Sequence, residues 1–141
     1  MTKPHATNRL INLPKRIAKV ERELLNMRTE LKKLYEKRDR LALPIERIVV
    51  FDLTQECKNK EQRDVRRAEL LLENVEYQNT LRLINEQELK IAETEIQLGQ
   101  LEREYSTEKL IARWALAFQY SMVSQMFDID EVTINNGSDL L

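Results

Sequence analysis

The sequence predicts an all-α fold, a long antiparallel helical hairpin of coiled-coil type with a third, C-terminal helical segment. Two observations carry that expectation. Leu10, Leu13, Ile17, Val20, Leu24, Met27, Leu31 and Leu34 follow one another at alternating steps of three and four residues. Such a repeat averages 3.5 residues and keeps one seam of a helix turned toward a partner helix. The composition agrees: 33% of the 141 residues are charged, 42% are apolar, and only two glycines and three prolines interrupt the chain. Long exposed helices have this balance, whereas sandwiches and doubly wound sheets do not.

Taken in order, residues 1–9 read as a disordered lead, and Asn12 with Pro14 suits a helix start. Helix one is expected over 14–42, with Arg38 interrupting the repeat and Leu41 resuming it. Pro44 should end that helix, because it lacks a backbone N–H and disfavours helical geometry in the residue before it. Residues 45–53 (IERIVVFDL) are β-branched and apolar, and read as a short extended segment: a strand, a packed linker or a hairpin tip. A linker over 43–57 then leads to Asn59, whose side chain suits an N-cap, with Gln62 completing a capping-box pattern.

Helix two is expected over 59–105. Leu70, Tyr77, Leu81, Ile84, Ile91, Leu98 and Tyr105 mostly keep heptad spacing, while Leu89, Ala92, Ile96 and Leu101 widen the stripe and imply a stutter near Glu88. Gly99 reads as a close helix approach or a slight bend. Ser106 and Thr107 either cap a separate segment over 107–127 or lie within a continuing helix. Residues 128–141 read as an acidic flexible tail. The whole of 10–127 forms one expected coiled-coil domain.

Helix lengths of roughly 43 Å and 69 Å follow from a rise of 1.5 Å per residue. Helix one therefore leaves the last third of helix two uncovered, where the chain becomes apolar on two faces. Ile111, Ala115, Phe118, Met122 and Met126 form one face, and Leu116, Tyr120, Val123 and Phe127 form the other. A helix apolar on two sides is buried on two sides. The residues expected at an oligomer or partner interface are Ile111, Trp114, Phe118, Tyr120, Met122, Val123, Met126 and Phe127, with a second copy of the chain as the expected partner and a further protein scaffolded by it.

The formal charge of −1 conceals a division. Residues 1–47 hold 13 Lys/Arg against 6 Asp/Glu, a net +7, whereas residues 68–141 hold 5 against 14, a net −9. A basic helix beside an acidic one selects its partner and orientation. Around the expected bend, Lys32, Lys33, Lys37, Arg38, Arg40, Lys58, Lys60, Arg63, Arg66 and Arg67 form a candidate phosphate-binding set, which makes nucleic acid a second candidate partner. No aromatic residue is interleaved for base stacking.

Catalytic arrangements are excluded by composition. The lone histidine, His5, and the lone cysteine, Cys57, supply neither a triad nor a zinc set, and no glycine cluster exists to cradle phosphate. No cofactor, metal or catalytic residue is expected. The glutamates of helix two (Glu86, Glu88, Glu93, Glu95, Glu102 and Glu104) read as a solvated face, since no Glu-x-x-His pair accompanies them. A single thiol cannot close an internal disulfide, the N-terminus has no apolar signal core, and Arg113, Gln119 and Gln125 interrupt the most apolar stretch. The expected setting is cytoplasmic, with no membrane span.

The run Lys58-Asn59-Lys60-Glu61-Gln62-Arg63, the later Glu76-Tyr77-Gln78 and the charged heptads down to Tyr105 resemble short uncharacterised coiled-coil proteins encoded in phage, prophage and mobile-element gene clusters, often near DNA replication and recombination genes. The similarity covers residues 56–117, and neither IVVFDL nor the C-terminal tail belongs to it. It implies an accessory role in mobile-element DNA metabolism and transfers no catalytic residue. A chaperone arm resembling prefoldin subunits, with two helices flanking a β segment, ranks third because the middle region offers one strand rather than a hairpin.

Overall fold

The computed structural model describes residues 5–52 and 58–138, all helical apart from short junctions at residues 58–59 and 74. The elements are α1 (His5–Arg47), a π-helical turn (Ile48–Asp52), α2 (Lys60–Glu73) and α3 (Val75–Ser138). They form two compact units, Ala18–Leu98 and, separately, Met1–Ile17 with Gly99–Leu141. The chain is all-α, as its repeat requires.

Within Ala18–Leu98, α1 and α3 run antiparallel, as ion pairs whose numbers move in opposite directions make plain. Arg28 lies 2.7 Å from Glu95, and Lys37 lies 3.7 Å from Glu76. The seam of α1 follows the leucine repeat: Val20 and Leu24 are buried, and Met27, Leu31, Leu34 and Leu41 are half-buried. Leu25 and Leu43, off the repeat, are exposed. On α3 the inward residues are Tyr77, Thr80, Ile84, Gln87, Ile91, Thr94 and Leu98, an unbroken alternation of three and four. The expected stutter near Glu88 is therefore absent. Leu89, Ala92 and Ile96 face outward, and polar residues hold the seam positions that an apolar count passes over.

Those polar seam groups are satisfied locally, as burial demands. Thr80 Oγ1 donates to the Glu76 carbonyl at 2.9 Å, and Thr94 Oγ1 to the Lys90 carbonyl at 2.8 Å. Gln87 Nε2 crosses between helices and donates to the Met27 carbonyl at 3.1 Å. A buried polar contact of this kind fixes register at some cost in stability.

Pro44 does not end α1. The helix continues to Arg47 and passes into the π-helical turn, so 45–52 is helical rather than extended, and Leu53 lies outside the described residues. Ile45 and Val49, one turn apart, are 6% and 0% exposed. Burying two such side chains contributes about 3–6 kcal/mol, which offsets the roughly 3 kcal/mol cost of proline inside a helix. The π turn packs against α2, and Arg67 of α2 reaches back to Glu46 at 2.6 Å. The strand that a prefoldin-like arm would require is not found over 45–52.

α2 starts as its sequence dictates. Asn59 Oδ1 accepts from the Gln62 N–H at 2.8 Å, and Gln62 Oε1 accepts from the Lys58 N–H at 3.0 Å. It then stops after Glu73, where one continuous helix is expected. Asn74 is the reason. Its backbone leaves helical geometry (φ −78°, ψ 102°), and its Oδ1 accepts from the Tyr77 N–H at 3.0 Å, capping α3. Asparagine favours such caps because its side chain replaces a missing backbone acceptor.

In the other unit α1 begins at His5, so the expected disordered lead is helical from that residue and Pro14 sits inside the helix rather than at its start. Leu13 is 3% exposed and Leu101 is 4% exposed, and Arg9 Nη1 lies 3.0 Å from Glu108 Oε1. α3 runs without a break through Ser106 and Thr107 and on to Ser138, so 128–138 is helical and no separate segment starts at 107. Gly99 lies within this helix, and a methyl group placed on its Cα would meet nothing within 4 Å. It marks no close approach. Gly99→Ala is therefore expected to raise stability by about 0.5–1 kcal/mol, read as an upward shift in the midpoint of urea unfolding followed by circular dichroism.

Candidate self-association surface

Among the described side chains of α3, Ala112 is the last that is partly covered, and each one from Arg113 to Asp128 is exposed. The apolar ones are large: Trp114 is 68% exposed, Phe118 67%, Tyr120 75% and Phe127 68%. Ile111, Met122, Val123 and Met126 are exposed beside them. The sequence gives this stretch no alternative to helix, since no Gly or Pro falls in it, and helical periodicity spreads the apolar side chains over two faces. Arg113 is the only charged residue between Leu110 and Phe127. Two faces of uncovered apolar surface on one helix exceed what scattered surface hydrophobes supply.

Upstream in the same unit, Arg9, Gln100, Arg103, Glu104, Thr107 and Glu108 line an open polar groove of about 600 Å³. Two of its charged residues, Arg9 and Glu108, pair with each other, and the Thr107 hydroxyl donates to the Arg103 carbonyl at 2.9 Å. No nucleophile with an adjacent base lines it.

The basic set lies in the Ala18–Leu98 unit, and half of it is neutralised. Lys33 pairs with Glu30 at 3.1 Å, Lys37 with Glu76, Arg38 with Asp39 at 3.0 Å, and Arg66 with Glu69 at 3.2 Å. Arg67 Nη1 donates to Asp64 Oδ1 at 2.6 Å, and its Nε lies close against Glu46. Contact with Glu46 first, and with Asp64, pushes the Arg67 pKa up, although partial burial works the other way. Arg38 also stacks over the Tyr35 ring at 4.9 Å. Among the described residues Lys32, Arg40, Lys58, Lys60 and Arg63 have no carboxylate within ion-pair distance. The set is thus a mixed-charge surface in which five cations have no carboxylate partner among the described residues.

Among the described residues no group of three or more His, Cys, Asp or Glu could hold a metal ion, and no helix is long and apolar enough to cross a membrane. Cys57 lies outside the described residues. Compared with protein-family models, curated proteins and solved structures, the chain matches none of them.

Two features went unread in the sequence. One is the polar half of the α3 seam, whose signal is a seven-residue spacing of Thr80, Gln87, Thr94, Leu101 and Glu108 that appears only when polarity is ignored. The other is the hydrogen bond from the Tyr35 hydroxyl to the Glu88 carboxylate across the helix pair. That bond, then desolvation and the charge of Glu88, holds the Tyr35 phenol above its ordinary value near 10, with Arg38 opposing. A phenol raised on folding stabilises the fold fully below pH 10, and that contribution disappears as pH climbs through the folded value. Following the Tyr35 ring by NMR as pH rises should place its ionisation above the ordinary phenol value, and Glu88→Ala should lower it; a wild-type Tyr35 ionising at the ordinary value would remove the interaction.

Proposed function

We propose that this chain is a non-enzymatic assembly protein that associates with itself through the apolar length of α3 at 110–127 and scaffolds a protein partner on that assembly. The observation that carries the reading is the exposure of Trp114, Phe118, Tyr120 and Phe127 on a helix left bare from Arg113 to Asp128. Fully burying each large apolar side chain is worth about 1.5–3 kcal/mol, so a second copy laid along this length recovers far more than exposed ion pairs at a few tenths of a kcal/mol each. Aromatic anchors set among aliphatic and Met neighbours are also the usual composition of interface hot spots. In this reading the protein acts in the cytoplasm, where its single thiol stays reduced.

Size exclusion with light scattering is expected to give a multiple of the 16.8 kDa chain mass. Phe118→Asp should shift the protein toward monomer at unchanged helicity, because the side chain is exposed and contributes nothing to the fold of one copy. A wild-type monomer at tens of micromolar would discard the reading.

The five cations without a carboxylate partner among the described residues support a second reading, that of an accessory protein contacting nucleic-acid phosphates in mobile-element DNA metabolism. The ion pairs at Lys33, Lys37, Arg38, Arg66 and Arg67 weaken it by occupying half of the set. Phosphate contacts lose affinity steeply as salt rises. A gel shift seen at 50 mM salt and lost at 200 mM, with Arg40→Ala and Arg63→Ala each reducing it, is the expected signature. No shift with single- or double-stranded DNA or RNA at low salt removes this reading.

A further inference from the structure

We infer that two copies pair antiparallel along 110–127, an arrangement that rests on the self-association reading above and gives it an orientation. The ends of the exposed length are oppositely charged. Lys109 and Arg113 stand at its N-terminal end and Asp128 at its C-terminal end, with the sequence continuing acidic as D-I-D-E. No charged residue lies between Arg113 and Asp128.

In a parallel pair, Arg113 of each copy faces Arg113 of the other, and Asp128 faces Asp128. Like charges brought together at a desolvated seam are disfavoured. In an antiparallel pair each basic end meets the other copy's acidic end, and the helix macrodipoles oppose as well. Leu116, Tyr120, Val123 and Phe127 step by four, three and four along one face, and antiparallel overlap centres this line between Tyr120 and Val123. The contact is isologous and closes at two copies instead of propagating into a filament. The second apolar face, led by Phe118 and Met122, remains for pairs to join into larger even-numbered assemblies.

Orientation is read by spin labels. With Cys57→Ser as background, a nitroxide on Lys109→Cys lies about 12 residues from the centre of the overlap. The two labels of an antiparallel pair then stand roughly 35–40 Å apart, against roughly 10–15 Å for a parallel pair at ordinary interaxial spacing. Light scattering on the labelled protein gives the copy number. An even-numbered assembly with the long distance supports the inference, as does Arg113→Glu weakening association about five- to twenty-fold, since that change turns an attraction into a repulsion in the antiparallel pair but only exchanges one repulsion for another in the parallel pair. An associated protein with the short distance, or a trimer, overturns the orientation and leaves self-association standing. A monomer overturns both. A monomer that instead sediments with phosphatidylserine-containing vesicles gives the face to a lipid surface, and also overturns both.

Discussion

The seam between α1 and α3 in the Ala18–Leu98 unit governs the architecture, and its two sides are unequal. α1 contributes an almost wholly apolar row, whereas Thr80, Gln87 and Thr94 put a polar group at every second inward position of α3. Apolar rows alone tolerate sliding, because burial carries no direction. The Gln87 amide does carry one. Shifted by one heptad, it would lose the Met27 carbonyl, and leaving a buried donor unpaired costs about 1–3 kcal/mol. The threonines, each bonded to a carbonyl of its own helix, keep the seam narrow, and Thr94 Oγ1 also lies 3.5 Å from Met27 Sδ of α1. Register is thus held by directional contacts such as the Gln87–Met27 and Tyr35–Glu88 hydrogen bonds, while cohesion comes from Val20, Leu24, Ile84 and Ile91.

Much of this was legible in advance, for a definite reason. The leucine repeat of α1 states its buried face directly, and Asn59 with Gln62 states where α2 begins; in both, the signal is local and of the residue type that physics requires. The misreadings share a different cause. Pro44 and the β-branched run after it have strong local preferences, and both were overruled by burial of Ile45 and Val49, a tertiary contact no local rule contains. Pro14 was overruled in the same way, with Leu13 buried immediately before it. Asn74 failed to announce itself because an asparagine within a long polar helix is commonplace, and only its backbone angles set it apart. On the α3 seam, a search restricted to apolar residues was bound to find half a heptad and infer a stutter.

The exposed length of α3 was legible for the opposite reason. Nothing tertiary competes there, so composition and helical period determine the outcome unaided. The basic set fared less well. Its members were found by charge, but charge in sequence does not reveal that Glu30, Asp39, Glu46, Asp64, Glu69 and Glu76 stand ready beside half of them. A surface dense in both signs is matched largely to itself, whereas an apolar helix has no such means of self-satisfaction. That contrast is why assembly ranks above phosphate contact.

The break at Asn74 has one more implication. α2 contains no fully buried residue, so it is the element with least to lose on opening, and local unfolding is drawn to such elements. In an uninterrupted helix, fraying that began there could run onward turn by turn. Here it meets a terminus already finished, because Asn74 closes the first turn of α3 with its own side chain. The junction acts as a firebreak, letting α2 peel away and re-dock while the paired helices beneath it stay wound.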